Sequence, residues 1–422
     1  MKQLYKDLIQ TWQNRALPTI VPRQISLDAF VDSNLRKIIT VTGFRRVGKT
    51  YSLLDYASKI GQKNCVYINF EDERIPSRVQ SLTSLSDTIN ELDLPPNTTL
   101  LLDEIQNIPG WSKWARRINE TTQLQLILTG SSSSLSSREL PTELRGRSLS
   151  VQINPLNFKE FLRFKETDLG SVPISTKFKL LNEFINFGGL PEIVLADEGK
   201  KYLLLGEYFK TFVSRDVLER YKIRKENTLN SLLNLLLNST EYTANKLATT
   251  LKSVDESVSR ATINRYITYL QNSYFLQSLV WHDPSAKNRM RAPRKAYFVD
   301  SFFISNSSGF SNNTGRLMEQ KVYEKLSETI RENPAKSLYY WRNQQRYEVD
   351  FVVRDKEKTV ALVQVCYVST GQAVPEREIR NLVLGGKRLN CTNLTLVTWD
   401  IKNTKMLDGV VINYTPLADF LC

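Results

Sequence analysis

The chain has 422 residues, 41% of them hydrophobic, and its 57 Lys and Arg against 44 Asp and Glu leave a formal net charge of +13. That length sets a prior of about two to four domains with sizeable cores. No apolar run reaches the ~18 residues a membrane span needs, and Met1-Lys2-Gln3-Leu4-Tyr5-Lys6-Asp7 alternates charged and apolar side chains, unlike a signal peptide. One His and four Cys (Cys65, Cys366, Cys391, Cys422) without CxxC spacing argue against a zinc site and read as reduced thiols of a soluble, cytoplasmic protein. The positive balance favours acidic partners, nucleic acid first and DNA above RNA. No membrane partner is expected.

The first strong element is the apolar strand Lys37-Ile38-Ile39-Thr40-Val41-Thr42. It runs into Gly43-Phe44-Arg45-Arg46-Val47-Gly48-Lys49-Thr50, and Tyr51-Ser52-Leu53-Leu54 continues as a helix. This GxxxxGKT between a strand and a helix is the context of a phosphate-binding P-loop. Gly43 and Gly48 permit backbone angles that a side chain forbids, and the loop amides with the positive helix end can cradle phosphates. Gly43, Arg45, Arg46, Val47, Gly48, Lys49, Thr50 and Tyr51 are therefore expected to line ATP. Lys49 would reach the β/γ-phosphates, and the Thr50 hydroxyl would hold Mg²⁺.

Cys65-Val66-Tyr67-Ile68 reads as a second strand ending at Asn69, with Glu71-Asp72 facing either the site or solvent. The apolar run from Thr98 to Leu102 ends in Asp103-Glu104. At this spacing from a P-loop, Asp103 is expected to hold Mg²⁺ through water, and Glu104 to orient and deprotonate the attacking water. A strand from Leu124 to Leu128 ends in Thr129-Gly130-Ser131-Ser132, where Thr129 or Ser131 would sense the γ-phosphate. Arg145-Gly146-Arg147 precedes a strand from Leu149 to Ile153.

Beyond residue 155 the pattern turns helical. Asn157 is a good N-cap for Phe158 to Phe164. Apolar periodicity resumes from Phe178 to Phe187 and stops at Gly188-Gly189-Leu190-Pro191, and a helix spans about Lys201 to Tyr221. These form an expected helical lid over residues 156–226. Residues 227–285 read as a winged helix-turn-helix: an apolar helix from Leu229 to Asn238, a short one from Ala244 to Leu251 capped by Thr243, and a recognition-type helix from Ser257 to Leu270. Val258, Ile263, Ile267 and Leu270 face inward on the last; Arg260 and Arg265 face outward. Lys287, Arg289, Arg291, Arg294 and Lys295 form an acid-free cluster, and Arg215, Arg220, Lys222, Arg224 and Lys225 a second one with interspersed acids. Residues 286–422 are α/β: a strand Tyr297-Phe298-Val299, a helix from Arg316 to Ile330 carrying Glu319, a strand from Ser337 to Arg342, and a hairpin of Tyr347 to Val353 with Val360 to Val368. A helix from about Pro375 to Leu389 and a strand from Leu394 to Thr398 follow.

GFRRVGKT, LLLDEIQNIPGW, LTGSSSSL, FGGLPE, EVDFVV and ALVQVCYV together resemble the AAA-type, STAND-like ATPases of archaea and some bacteria that carry a C-terminal domain of unknown function with a PD-(D/E)XK nuclease-like fold. The likeness covers nearly the whole chain. It implies that Pro191 packs against the adenine, and that Arg145 or Arg147, with Arg147 preferred, completes catalysis from a neighbouring copy in a homo-oligomer. It also implies a metal site in which Glu319 and Asp350 match the nuclease pattern and would hold Mg²⁺ weakly. Glu348 shares the strand face of Asp350 by its period of two. The Glu-x-Lys element that should follow reads Gln364-Val365-Cys366, so the domain is expected to be nuclease-shaped and inert.

The expected fold class is thus α/β: an AAA-like P-loop NTPase core (1–155), a helical lid, a winged helix and a PD-(D/E)XK-like domain. The expected function is Mg-ATP hydrolysis coupled to conformational change and associated with nucleic acid. Two alternatives stand beside it: a nucleotide-dependent signalling or assembly protein whose C-terminal domain makes protein contacts, and an ATP-regulated nuclease.

Overall fold

The structure, a computed structural model, describes the chain except residues 33–34, 93, 96, 131–141, 254–257, 308–312 and 346. The chain divides into two compact units: Met1–Pro155 with Asn272–Tyr274, and Leu156–Gln271 with Phe275–Cys422. No helix of the described residues is long and apolar enough to cross a membrane.

The first unit runs α1 (Lys2–Asn14), β1 (Ile38–Thr42), α2 (Lys49–Ile60), β2 (Cys65–Asn69), α3 (Val79–Glu91), β3 (Thr99–Asp103), α4 (Trp111–Thr121), β4 (Gln125–Thr129) and β5 (Ser148–Gln152). The strands form one parallel sheet in the order β2-β3-β4-β1-β5. β1 and β3 are buried at every residue, which is why they read as unbroken apolar runs rather than alternating ones. Tyr5 and Ile9 of α1, Leu82 and Leu85 of α3, and Trp114 and Ile118 of α4 pack with Leu100, Leu102, Leu126 and Leu128 in a single core. Each such leucine contributes about 1.5–3 kcal/mol by leaving water. β4 lies between β1 and β3, so the C-terminal ends of these three strands sit side by side.

The second unit begins with α5 (Phe158–Phe164), α6 (Ile174–Phe187), α7 (Pro191–Leu195) and α8 (Glu198–Thr211), which continues as a π-helix over Phe212–Glu219. Asn157 and Glu160 form a capping box at α5, as the Asn-x-x-Glu spacing demands. Gly188 has φ +76°, and a Cβ there would meet Asp300 Oδ1 at 2.0 Å; a Cβ on Gly189 would meet the Leu156 carbonyl oxygen at 2.2 Å. The Gly189 N–H donates to Asp300 Oδ2 at 2.7 Å. The FGG of FGGLPE is therefore fixed by packing on a buried aspartate, which Lys321 also pairs at 3.0 Å. Pro191 is the first residue of α7, where its missing N–H costs nothing.

Next come α9 (Glu226–Leu237), β6 (Glu241–Tyr242), α10 (Ala244–Lys252), α11 (Arg260–Asn272), β7 (Leu276–Leu279), α12 (Ala286–Arg291) and β8 (Arg294–Phe298). On α11, Ile263, Tyr266, Ile267 and Leu270 are buried while Arg260 and Arg265 are exposed. Val258 is half-buried and precedes the helix; Ser257 lies outside the described residues. β8 pairs with β7 and β6 in an antiparallel sheet of its own. The strand assigned from sequence to the last domain thus belongs to the preceding small sheet. A boundary at 285 would cut that sheet in two.

The remainder is α13 (Phe302–Ser305), α14 (Thr314–Glu332), β9 (Lys336–Arg342), β10 (Glu348–Asp355), β11 (Lys358–Val365), α15 (Glu376–Leu389), β12 (Leu394–Thr398), β13 (Asn403–Leu407), β14 (Val410–Pro416) and α16 (Leu417–Leu421). Six strands form a mixed sheet, β13-β14-β12-β11-β10-β9. Val349, Val352, Leu362, Leu394 and Leu396 meet Leu382 and Val383 of α15 in its core. β13 and β14 extend the sheet beyond the last strand expected from sequence. β13 is exposed at every residue and so carries no buried pattern to read.

Candidate nucleotide site

The P-loop leaves β1 at Gly43 and enters α2 at Gly48, whose φ of +97° caps the helix. A Cβ on Gly43 would meet the Ile153 carbonyl oxygen at 2.1 Å, so only glycine fits. Arg23, which sequence reasoning passed over, donates to the Val47 carbonyl at 3.0 Å and the Asn154 carbonyl at 2.9 Å, tying the loop to the segment that follows β5. Lys49 is buried. Its Nζ lies 3.3 Å from the Gly43 carbonyl oxygen, 3.2 Å from that of Phe44 and 4.0 Å from Glu104 Oε1. Around it Val47 is buried, Arg45 half-buried, and Arg46 and Tyr51 exposed.

Asp103, at the tip of β3, accepts hydrogen bonds from three hydroxyls. Thr50 donates to Oδ2 at 2.7 Å, Tyr67 to Oδ2 at 2.9 Å, and Thr129 to Oδ1. Thr129 in turn accepts the Glu104 N–H at 3.0 Å. Burial, and then the charge of Asp103, push the Tyr67 phenol upward, so it stays protonated and donating. Glu104 itself is left-handed, with φ +52°. A non-glycine residue in that region costs of order 1–3 kcal/mol and persists where surroundings over-determine it. Here the turn aims Glu104 toward Lys49, and the Gln106 amide donates to Glu104 Oε2. Oxygen donors from a hydroxyl and a carboxylate suit Mg²⁺, so Thr50 and Asp103 fit the ion that the P-loop implies.

The sequence-derived residues Gly43, Gly48, Lys49, Thr50, Asp103, Glu104 and Thr129 are thus brought together at one end of the sheet; Tyr67 and Arg23 are additions. Tyr67 could have been found from its phase, since it shares a strand face with Asn69. Asn69 instead accepts the Glu71 N–H at 2.9 Å, and Asp72 pairs with Arg74 at 2.7 Å, closing a turn. Ser131 lies outside the described residues. Arg147 precedes β5, which runs parallel beside β1, so it lies at the end of the strands opposite the P-loop; it pairs with Glu120 at 2.9 Å and does not join the P-loop of its own chain. Arg145 is exposed.

In the second unit Glu319 (α14), Glu348 and Asp350 (β10) converge as expected, and Gln364 stands opposite Asp350, its Oε1 accepting the Asp350 N–H at 3.1 Å. At their centre is a residue read from sequence as part of the acid-free basic cluster. Lys295 Nζ lies 3.0 Å from Glu319, 2.7 Å from Glu348 and 2.9 Å from Asp350, with only 4% of the residue exposed. Burial alone would lower this lysine, but Asp350, Glu319 and Glu348 hold it well above its ordinary value. Burial pushes Asp350 up to about 7 against the pull of Lys295. The expected Mg²⁺ ligands Glu319 and Asp350 are therefore already bound to an ammonium. Among the described residues no group of three or more His, Cys, Asp or Glu is arranged to hold a metal. Lys295 also leaves the basic cluster. Lys287, Arg291 and Arg294 are exposed, and Arg289 caps the Asp283 carbonyl at 2.6 Å.

Three families match in sequence: an AAA domain over residues 35–162, and domains of unknown function DUF8612 over 178–314 and DUF4143 over 314–416. An uncharacterized protein of Haemophilus influenzae is 28% identical over 358 residues, spanning 82% of this chain and 85% of its own. The solved Walker-type ATPase PABY2304 of Pyrococcus abyssi covers 69% of this chain and 98% of its own, at 14% identity and a TM-score of 0.45. The uncharacterized protein MJ1544 of Methanocaldococcus jannaschii is 36% identical over 379 residues, 86% of this chain and 82% of its own. The chain belongs to one family with MJ1544, and its own residues 35–162 are an AAA domain.

Proposed function

We propose that the chain binds Mg-ATP at the P-loop and hydrolyses it, coupling nucleotide state to conformational change. The observation that carries this is the convergence of Lys49, Thr50, Asp103, Glu104 and Thr129 at the adjoining ends of β1, β3 and β4. Lys49 neutralises the β/γ-phosphates, Glu104 takes the proton of the attacking water, and Thr129 holds Asp103 and Glu104 in register. Thr50 and Asp103 hold the metal, which when bound draws off charge developing on the phosphates. Arg147, outside its own chain's site, serves a second copy.

Nucleic acid is the proposed partner. The order α9, β6, α10, α11, β7, β8 with its three-stranded sheet supports a winged-helix reading. Arg260 and Arg265 on α11, with Lys287 and Arg291 on α12 and Arg294 at the start of β8, offer exposed cations to phosphates. The order α14, β9, β10, β11, α15, β12 supports a nuclease-like origin for the last sheet. Gln364 and Cys366 leave it without the groups that would activate water.

ATP turnover measured with and without DNA and RNA tests the whole reading. Nucleic acid should stimulate turnover. Replacing Lys287, Arg291 and Arg294 with Ala should weaken binding and reduce the slope of log affinity on log salt by roughly 0.9 for each phosphate no longer neutralised. Nucleotide-dependent self-association with no nucleic-acid effect would favour the signalling and assembly reading instead.

A further inference from the structure

We infer that Lys295 is the resident cation of the C-terminal carboxylate cluster and that it closes the cluster to divalent metal. A lysine ammonium has three donors and no acceptor. Here three acceptors surround it: Glu319 Oε1, Glu348 Oε1 and Asp350 Oδ1, all within 3.0 Å. The ammonium occupies the point on which the carboxylates converge, which is where a shared metal would have to lie.

Other groups on these carboxylates are also engaged. Glu319 Oε1 accepts the Tyr297 hydroxyl at 2.6 Å, Asp350 Oδ2 accepts the Val365 N–H at 3.0 Å, and Glu348 Oε2 accepts Arg342 Nε at 2.8 Å. Gln364, which stands where a second metal carboxylate would be needed, accepts the Asp350 N–H at its oxygen and donates from its amide nitrogen to Glu378 Oε2 at 2.8 Å.

The network is also a bolt between elements. Lys295 joins β8 to α14 and β10, and Arg342 of β9 reaches both Glu348 and Glu241 of β6. A divalent ion could enter only by expelling a buried, protonated lysine and loosening this junction. The inference stands apart from the ATPase reading, since every group named lies in the second unit.

The test is Mn²⁺ binding by the full chain without nucleotide, followed by electron paramagnetic resonance. All proteins carry Asp103→Asn, which removes metal bound at the P-loop. With Lys295 in place, no Mn²⁺ should bind that depends on Asp350. Lys295→Met should gain a Mn²⁺ site, and adding Asp350→Asn should abolish it. If Lys295→Met fails to fold, Lys295→Met with Glu348→Gln removes one of the three repelling charges and is read in the same way. Two results overturn the inference: Mn²⁺ bound by the Lys295 chain and lost with Asp350→Asn, or a folded Lys295 variant that binds none. The first result can be read even if every Lys295 variant is unfolded.

Discussion

Asp103 and Asp350 are both buried carboxylates on strands of α/β sheets, and both stand where metal chemistry is expected, yet their partners differ in kind. Asp103 is held by the hydroxyls of Thr50, Tyr67 and Thr129. Asp350 is held by the ammonium of Lys295. Hydroxyls fix a carboxylate in place without cancelling its charge, so a soluble cation can still be drawn to it. A covalently tethered ammonium occupies the place that a soluble cation would take. The same residue type can therefore be an exchangeable site in one sheet and a structural joint in another, and what surrounds it decides which.

The sharpest way to break the comparison is to remove the machinery at Asp103's end. Lys49→Ala should lose tight ATP binding, because charge-assisted bonds worth about 1.5–3 kcal/mol each are removed at once; titration calorimetry measures it. Glu104→Gln should keep binding and slow turnover by roughly 10²–10⁴-fold. Near-normal turnover in that variant would refute Glu104 as the base. At the other cluster Lys295→Met should leave nucleotide binding intact and destabilise the second unit by about 3–5 kcal/mol, because it strands buried carboxylates without their cation. The midpoint of urea unfolding reads this out.

A smaller effect follows from proton affinity. Asp350 is pushed up to about 7 by burial, above its unfolded value. The folded state then holds this proton more tightly than the unfolded state does. Its contribution is full below the ordinary aspartate range and is lost as pH rises through about 7, at most about 1.4 kcal/mol per pH unit. The wild type should therefore show a falling limb of stability between about pH 4 and 7 that Asp350→Asn flattens. An unchanged slope in the variant would place the titration elsewhere.

What the sequence disclosed and what it withheld divide along the same line. The P-loop and Asp103-Glu104 were legible because their chemistry is local: glycines at fixed offsets, and an apolar strand ending in acids. The glycines of FGGLPE were legible as a helix stop, but not as seats for Asp300, 111 residues away in the chain. Lys295 was misread because partners such as Glu319 and Asp350 lie 24 and 55 residues on, while the cations that precede it, Lys287, Arg291 and Arg294, are exposed. Period-two phase put Glu348 and Asp350 on one face, but no local pattern says that a lysine from another sheet will meet them. β8 went to the wrong sheet for the same reason, since strand pairing is non-local.

Tyr67 offers the finest test, because it changes one hydrogen bond on Asp103 and no charge. Its ring lies 5.2 Å from that of Trp12, so Tyr67→Phe keeps the packing and removes only the hydroxyl that donates to Asp103 Oδ2. Thr50 and Thr129 remain, and the carboxylate should stay in place but less firmly aimed. A hydrogen bond to a charged group is worth about 1.5–3 kcal/mol, and part of that loss is recovered if water replaces the phenol. The expected outcome is a rise of roughly tenfold, about 1.4 kcal/mol, in the Mg²⁺ concentration needed for half-maximal ATP turnover. Metal-free nucleotide binding should be unchanged. A change in binding without metal would mean that Tyr67 touches the nucleotide; no change in either would mean that the two threonines alone position Asp103.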